Sequence, residues 1–193
     1  MSDQSRIKMI SPEEMTPQQN DLVKEVVQGR GYVLTPFKIW IHSPDVAAGM
    51  ERLGDAVTKG TSLTRREREI AVLLIANHWK AEYVWTNHVR HCLKLGFAPE
   101  VIEAIRTGKR PALDNERERT VYELGIIAME EGSGSDEVFD RAEKSLGRRG
   151  VAEVLAVLGY FGMVAMSLKL HRVSVLSDAE HERIVNTDER RPR

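Results

Sequence analysis

The stretch TRREREIAVLLIA, Thr64–Ala76, decides the fold. Thr64 followed by Glu67 is a capping-box pattern, in which the hydroxyl and the carboxylate each take a backbone amide that the first helical turn leaves without a partner. Behind it, Ile70-Ala71-Val72-Leu73-Leu74-Ile75-Ala76 is apolar on every side, the mark of a helix buried all round in a core or an interface. Downstream, a break near Lys80 leads into a helix over Glu82–Leu95, closed by Gly96. A short helix over Pro99–Thr107 ends at Gly108, and Asp114 caps another running from Asn115 to Glu130. Gly132-Ser133-Gly134-Ser135 reads as a loop; Ser135 starts a helix to Leu146, and a long apolar helix follows over Val151–Leu170. Upstream, Thr16 with Pro17 starts a helix toward Val27, stopped by Gly29 and Gly31. Tyr32–Pro44 reads as a loop carrying Pro36, Phe37, Trp40 and His42, followed by a helix over Pro44–Lys59 that Gly60 ends. No period-two alternation marks a strand. The reading is an all-α, single-domain bundle of seven to eight helices.

Residues 1–15 read as a flexible N-terminus, 16–175 as the helical domain and 176–193 as a charged tail. The 28 Lys+Arg and 29 Asp+Glu leave a formal charge of −1, which gives no general attraction to nucleic acid or an anionic membrane. The chain has no unbroken run of 18 apolar residues and its first residues lack a secretory apolar core, so a cytoplasmic protein with no membrane or nucleic-acid partner is expected. Cys92 is the single cysteine; an internal disulfide, a Cys-x-x-Cys redox pair and a multi-cysteine zinc site are excluded. Two heavily apolar helices in so short a chain point to a homo-oligomer.

The chemistry-bearing side chains concentrate in Arg65–Gly96. On the helix after Lys80, Trp85, His88 and Cys92 share one face, with Glu82 near its start, and Tyr83, Asn87 and His91 share the neighbouring one. A short break between two antiparallel helices brings Glu69 toward them, assembling carboxylate, imidazole and phenol, a set suited to proton transfer near neutral pH. His88 and His91 are spaced i, i+3, as one helical face can present to a metal. Yet His91 and Cys92 point about 100° apart around the helix, and no third carboxylate shows matching spacing; no metal and no cofactor are expected.

Arg66-x-Arg68-Glu69, followed by His78-Trp79-x-Ala81-Glu82-Tyr83-x-Trp85-x-x-His88-x-x-x-Cys92-x-x-x-Gly96, resembles the carboxymuconolactone decarboxylase family, which includes the alkylhydroperoxidase AhpD-like proteins. Pro36-Phe37-Lys38-x-Trp40-x-His42-Ser43-Pro44 and Val157-Leu158-Gly159-Tyr160-Phe161 extend the resemblance over about residues 30–170, with the core motif in 44–130. It implies a helical protomer in homotrimers or homohexamers, with sites near subunit interfaces. In the peroxidase branch a Cys-x-x-Cys precedes the histidine; counting back from His88, those positions are Ala81 and Val84, so both thiols of dithiol peroxidase chemistry are missing. The decarboxylase branch fits better. The resemblance then implies His88 as proton carrier and Glu69 as its partner, with His42, Tyr83, Trp85, Glu82 and Arg68 around a small-molecule substrate.

The function expected is cofactor-free acid/base chemistry on a small carboxylated lactone or aromatic-catabolism intermediate. The alternatives are an AhpD-like peroxidase or antioxidant relative, including one using Cys92 alone, and a non-catalytic helical oligomer that binds small molecules.

Overall fold

The computed structural model describes residues 5–130, 134–177 and 179–180. The loop residues Gly132 and Ser133, and most of the tail 176–193, lie outside them. Among the described residues there are eight helices and no strand: α1 Pro17–Arg30, α2 Phe37–Trp40, α3 Pro44–Lys59, α4 Arg65–His78, α5 Glu82–Lys94, α6 Pro99–Arg106, α7 Glu116–Met129 and α8 Asp136–Leu170. The all-α reading holds.

Helix α4 is the axis of the bundle and packs against α5, α6, α7 and α8. Its start is the capping box: Glu67 N–H donates to Thr64 Oγ1 at 3.2 Å, and Thr64 N–H donates to Glu67 Oε2 at 2.9 Å. Every side chain from Ile70 to Ala76 is buried, as an all-apolar helix requires. The cap also joins α4 to α7. Arg117 donates to Glu67 through Nε at 2.8 Å and Nη2 at 3.3 Å. Arg66 donates to Glu118 at 2.6 and 3.1 Å. Both are forked guanidinium–carboxylate pairs, the geometry that fixes direction as well as distance.

Lys80 takes a left-handed backbone, φ 51°, and in three residues, Trp79–Ala81, the chain turns from α4 into α5. Helix α5 ends at Lys94 with Leu95 as its C-cap, and Gly96 follows at φ 75°. Helix α8 crosses the bundle. Its second half is apolar and long enough to span a bilayer by composition, but 56% of that window is buried inside the molecule; it is a core helix. Gly54 lets α3 approach it closely, since a Cβ there would stand 2.6 Å from Tyr160 Oη. Further ties are Trp40 Nε1–H to Ser167 Oγ at 2.9 Å and Lys169 Nζ to the Trp79 carbonyl at 2.9 Å.

Several boundaries differ from the sequence reading. Helix α1 passes through Gly29 and ends at Arg30, because Gly31 at φ 80° is the left-handed residue that closes it. The loop Tyr32–Pro44 contains the single-turn helix α2, too short to show a period. Asn115, not Asp114, caps α7: its Oδ1 accepts from Arg117 N–H at 2.8 Å and Glu118 N–H at 3.2 Å. The break that the sequence reading places after Leu146 is present: within Asp136–Leu170, Gly147 has a non-helical backbone, φ 70°, ψ 166°, and two helices meet there at a kink. A backbone open only to glycine interrupts the helix at that point. The N-terminal segment is tied down at Arg6, whose N–H donates to the His171 carbonyl at 2.8 Å.

Candidate active site

Glu69 lies one turn beyond the α4 cap and its carboxylate is buried, 4% exposed. Because α5 folds back on α4, it meets His88 and His91, one helical turn apart on α5. His88 Nδ1 is 2.6 Å from Glu69 Oε2. His91 Nδ1 is 3.7 Å from Glu69 Oε1. The two imidazoles meet edge to face, 5.1 Å between centroids. Phe161 of α8 closes one side of His88, its ring 4.9 Å away at 83°.

Burial opposes charge on Glu69 and pushes its carboxyl upward. The charge of His88, the hydrogen bond from it and the smaller contributions of His91 outweigh that, so the carboxyl is held well below the usual carboxylate range. An ionised Glu69 only accepts. His88 therefore donates from Nδ1–H, which leaves Nε2 as its basic nitrogen. This is the arrangement in which a carboxylate fixes the tautomer of a proton-transferring imidazole.

Cys92 lies one turn beyond His88 and is fully buried. Burial first, and the Glu69 carboxylate second, push its thiol well above the ordinary range, with Arg66 opposing. Ala81 and Val84, at the family's two cysteine positions, are both buried.

The structure brings only part of the expected set together. Glu82 is exposed and pairs with Arg106 Nη2 at 2.5 Å. Trp85 is buried under that same guanidinium, whose carbon lies 4.8 Å from its ring centroid. Both belong to the α5–α6 contact rather than to the Glu69 site. His42 is exposed, with Nε2 3.0 Å from the Lys8 carbonyl oxygen, and makes none of the site's hydrogen bonds. Tyr83 donates to Thr35 Oγ1 at 3.2 Å, which ties α5 to the loop before α2, and burial raises its phenol. Arg68 is half-buried and makes no hydrogen bond or ion pair among the described residues. Burial works against its charge, and Glu69 is the carboxylate that supports it. His91, on the face neighbouring His88, is the member that the candidate set left out. The carboxylate that helix spacing does not supply to the His88/His91 pair is Glu69, from the opposite helix.

This carboxylate–imidazole pair between adjacent helices sits inside residues 44–125, which match the profile of the carboxymuconolactone decarboxylase family. Residues 44–125 belong to that family. The fold of its AhpD-like members recurs over nearly the whole chain. An AhpD-core, peroxidase-related protein of Ralstonia eutropha JMP134 superposes with a TM-score of 0.69 at 18% identity, covering 92% of this chain and 94% of that one. A peroxidase-related protein of Silicibacter sp. TM1040 gives 0.66 at 14%, covering 92% and 94%. The debrominase Bmp8, in complex with 2,3,4-tribromopyrrole, gives 0.65 at 13%, covering 95% and 98%. At such identities these structures share the fold. No curated protein matches the chain.

Proposed function

We propose that the chain is an acid/base enzyme of lyase type acting on a small carboxylated lactone or a related intermediate of aromatic catabolism. The observation that carries this is the part-buried 2.6 Å contact between Glu69 and His88. In a carboxylated lactone, CO2 leaves when the C–C bonding electrons pass into the conjugated lactone carbonyl. The resulting enolate takes a proton at carbon. His88 supplies that proton from Nε2 and regains it from water, while Glu69 holds the ring and offsets the imidazolium charge. Arg68, which makes no hydrogen bond or ion pair among the described residues and is next to Glu69 in sequence, is the group to hold a substrate carboxylate, an interaction that favours a planar fork over a point charge.

The AhpD-like peroxidase reading has the family and the fold behind it. Against it stand Ala81 and Val84 at the thiol positions, and a Cys92 thiol that burial keeps protonated. Self-association is part of the proposal: Leu155, Met166 and Leu170 leave apolar surface exposed on α8.

The test is NMR-monitored turnover of γ-carboxymuconolactone by wild type and by His88→Gln, an amide that donates to Glu69 but cannot carry a proton. CO2 release by wild type, lost in the variant, is the expected result. Equal turnover by both removes His88 from the chemistry. No turnover by a folded wild type rejects this substrate.

A further inference from the structure

We propose that Glu69, His88 and His91 form a binding site for one first-row divalent cation of the zinc class, with at least one coordination position left open. Each side chain offers one ligand atom, and the three atoms lie within 4.8 Å of one another. Two come from α5, one turn apart, and the third from α4, so the site is held by the two helices of one tight hairpin rather than by a loop.

The donor set selects the ion. Two imidazoles and one carboxylate suit zinc, cobalt, nickel, copper or iron, whereas magnesium and calcium prefer oxygen throughout. With metal–ligand bonds of about 2.0–2.2 Å, tetrahedral donors settle roughly 3.3 Å apart. The Glu69–His88 contact of 2.6 Å has to open slightly, and the Glu69–His91 contact of 3.7 Å has to close slightly. Closing the widest pair takes about 1.5 Å, within reach of side-chain torsions. The carboxylate is already buried, so the fold has met its desolvation, and an ion adds a fixed charge where two imidazoles converge. Three protein ligands leave room for water or a substrate anion, the pattern of open rather than closed zinc sites. Phe161 limits approach from the side of His88.

The ion and the Glu69–His88 hydrogen bond exclude one another here. An ion held by Glu69 takes the carboxylate lone pairs that the His88 N–H now uses. Ion binding itself does not depend on the acid/base reading. Its consequence does: on that reading, zinc is an inhibitor that displaces the Glu69–His88 contact.

The experiment is a cobalt(II) titration of chelator-treated, full-length protein, followed by its visible absorption bands, with zinc added afterwards. The expected result is one cobalt ion per chain, with the intense bands of four- or five-fold coordination, displaced by zinc. His91→Gln, a change at a partly exposed position, weakens binding at least about tenfold while circular dichroism remains native. Glu69→Gln does the same, and Cys92→Ser leaves binding unchanged. Absence of saturable binding below about 1 mM cobalt overturns the site, as does equal affinity in wild type and His91→Gln. Ion binding by a wild type that turns over no lactone supports the site while counting against the acid/base reading.

Discussion

Glu67 and Glu69 stand two residues apart on the same helix, and both are buried, at 2% and 4% exposure. Glu67 caps its helix and is gripped by Arg117. Glu69 faces His88 and His91. The carboxylate and the burial are the same; the partner decides what each can do. A guanidinium only donates, here through a planar fork at 2.8 and 3.3 Å, so the Glu67 pair fixes α4 against α7. An imidazole has a second ring nitrogen that can take up or release a proton, so the Glu69 pair can pass one on. Within a turn and a half, α4 carries a rigid clamp and a proton-handling site.

The comparison breaks most visibly in rate. His88→Gln is expected to lower turnover of the proposed lactone about 10²–10⁴-fold, the usual scale for losing a positioned acid/base, and steady-state kinetics reads it. Glu67→Gln is expected to behave in the opposite way. Denaturant melts should show a loss of about 3 kcal/mol, because Arg117 loses the charge it pairs with beside a buried cap, while turnover per folded molecule stays at the wild-type level. A clamp variant that loses rate without losing stability contradicts the division.

Acid sharpens the contrast. The Glu69 carboxyl is lowered on folding from an ordinary value of 4.5. Below that value the unfolded chain binds a proton that the folded chain does not. The stability Glu69 contributes is therefore complete above about pH 4.5 and is lost as pH falls toward its folded value. Thermal melts between about pH 5 and pH 3 should fall less steeply for Glu69→Gln than for wild type. Equal slopes would mean that Glu69 titrates ordinarily. Cys92 should label with iodoacetamide orders of magnitude more slowly in the native protein than in denaturant, as a buried, protonated thiol requires. The smallest effect belongs to Glu82→Gln, which breaks an exposed pair with Arg106 and should cost less than about 1 kcal/mol.

The sequence reading reached α4, the turn at Lys80 and Gly96 because each depends on residues adjacent in the chain: a cap, a left-handed turn, a glycine. The short break between α4 and α5 brings Glu69 toward the α5 side chains, and the resemblance singles out His88 among them as its partner. For Glu82, Trp85 and His42, a neighbour from elsewhere in the chain sets the surroundings. A helical wheel places Trp85 and His88 on one stripe, but Arg106 of α6 covers Trp85 and claims Glu82. His42 looked available until the backbone at Lys8 was beside it. His91 joins Glu69 only because α4 supplies the carboxylate, a juxtaposition that spacing along α5 does not contain. Phe161, far along the chain, reaches His88 because α8 crosses the hairpin.

The most direct test of the central claim is the state of the His88 ring in solution, read by 15N NMR of the imidazoles, with His88→Gln identifying the signals. The account predicts that neutral His88 carries its proton on Nδ1, bonded to Glu69, with Nε2 bare, and that this preference weakens in Glu69→Gln. A neutral His88 protonated on Nε2 in the wild type would place no donor against Glu69 and would contradict it.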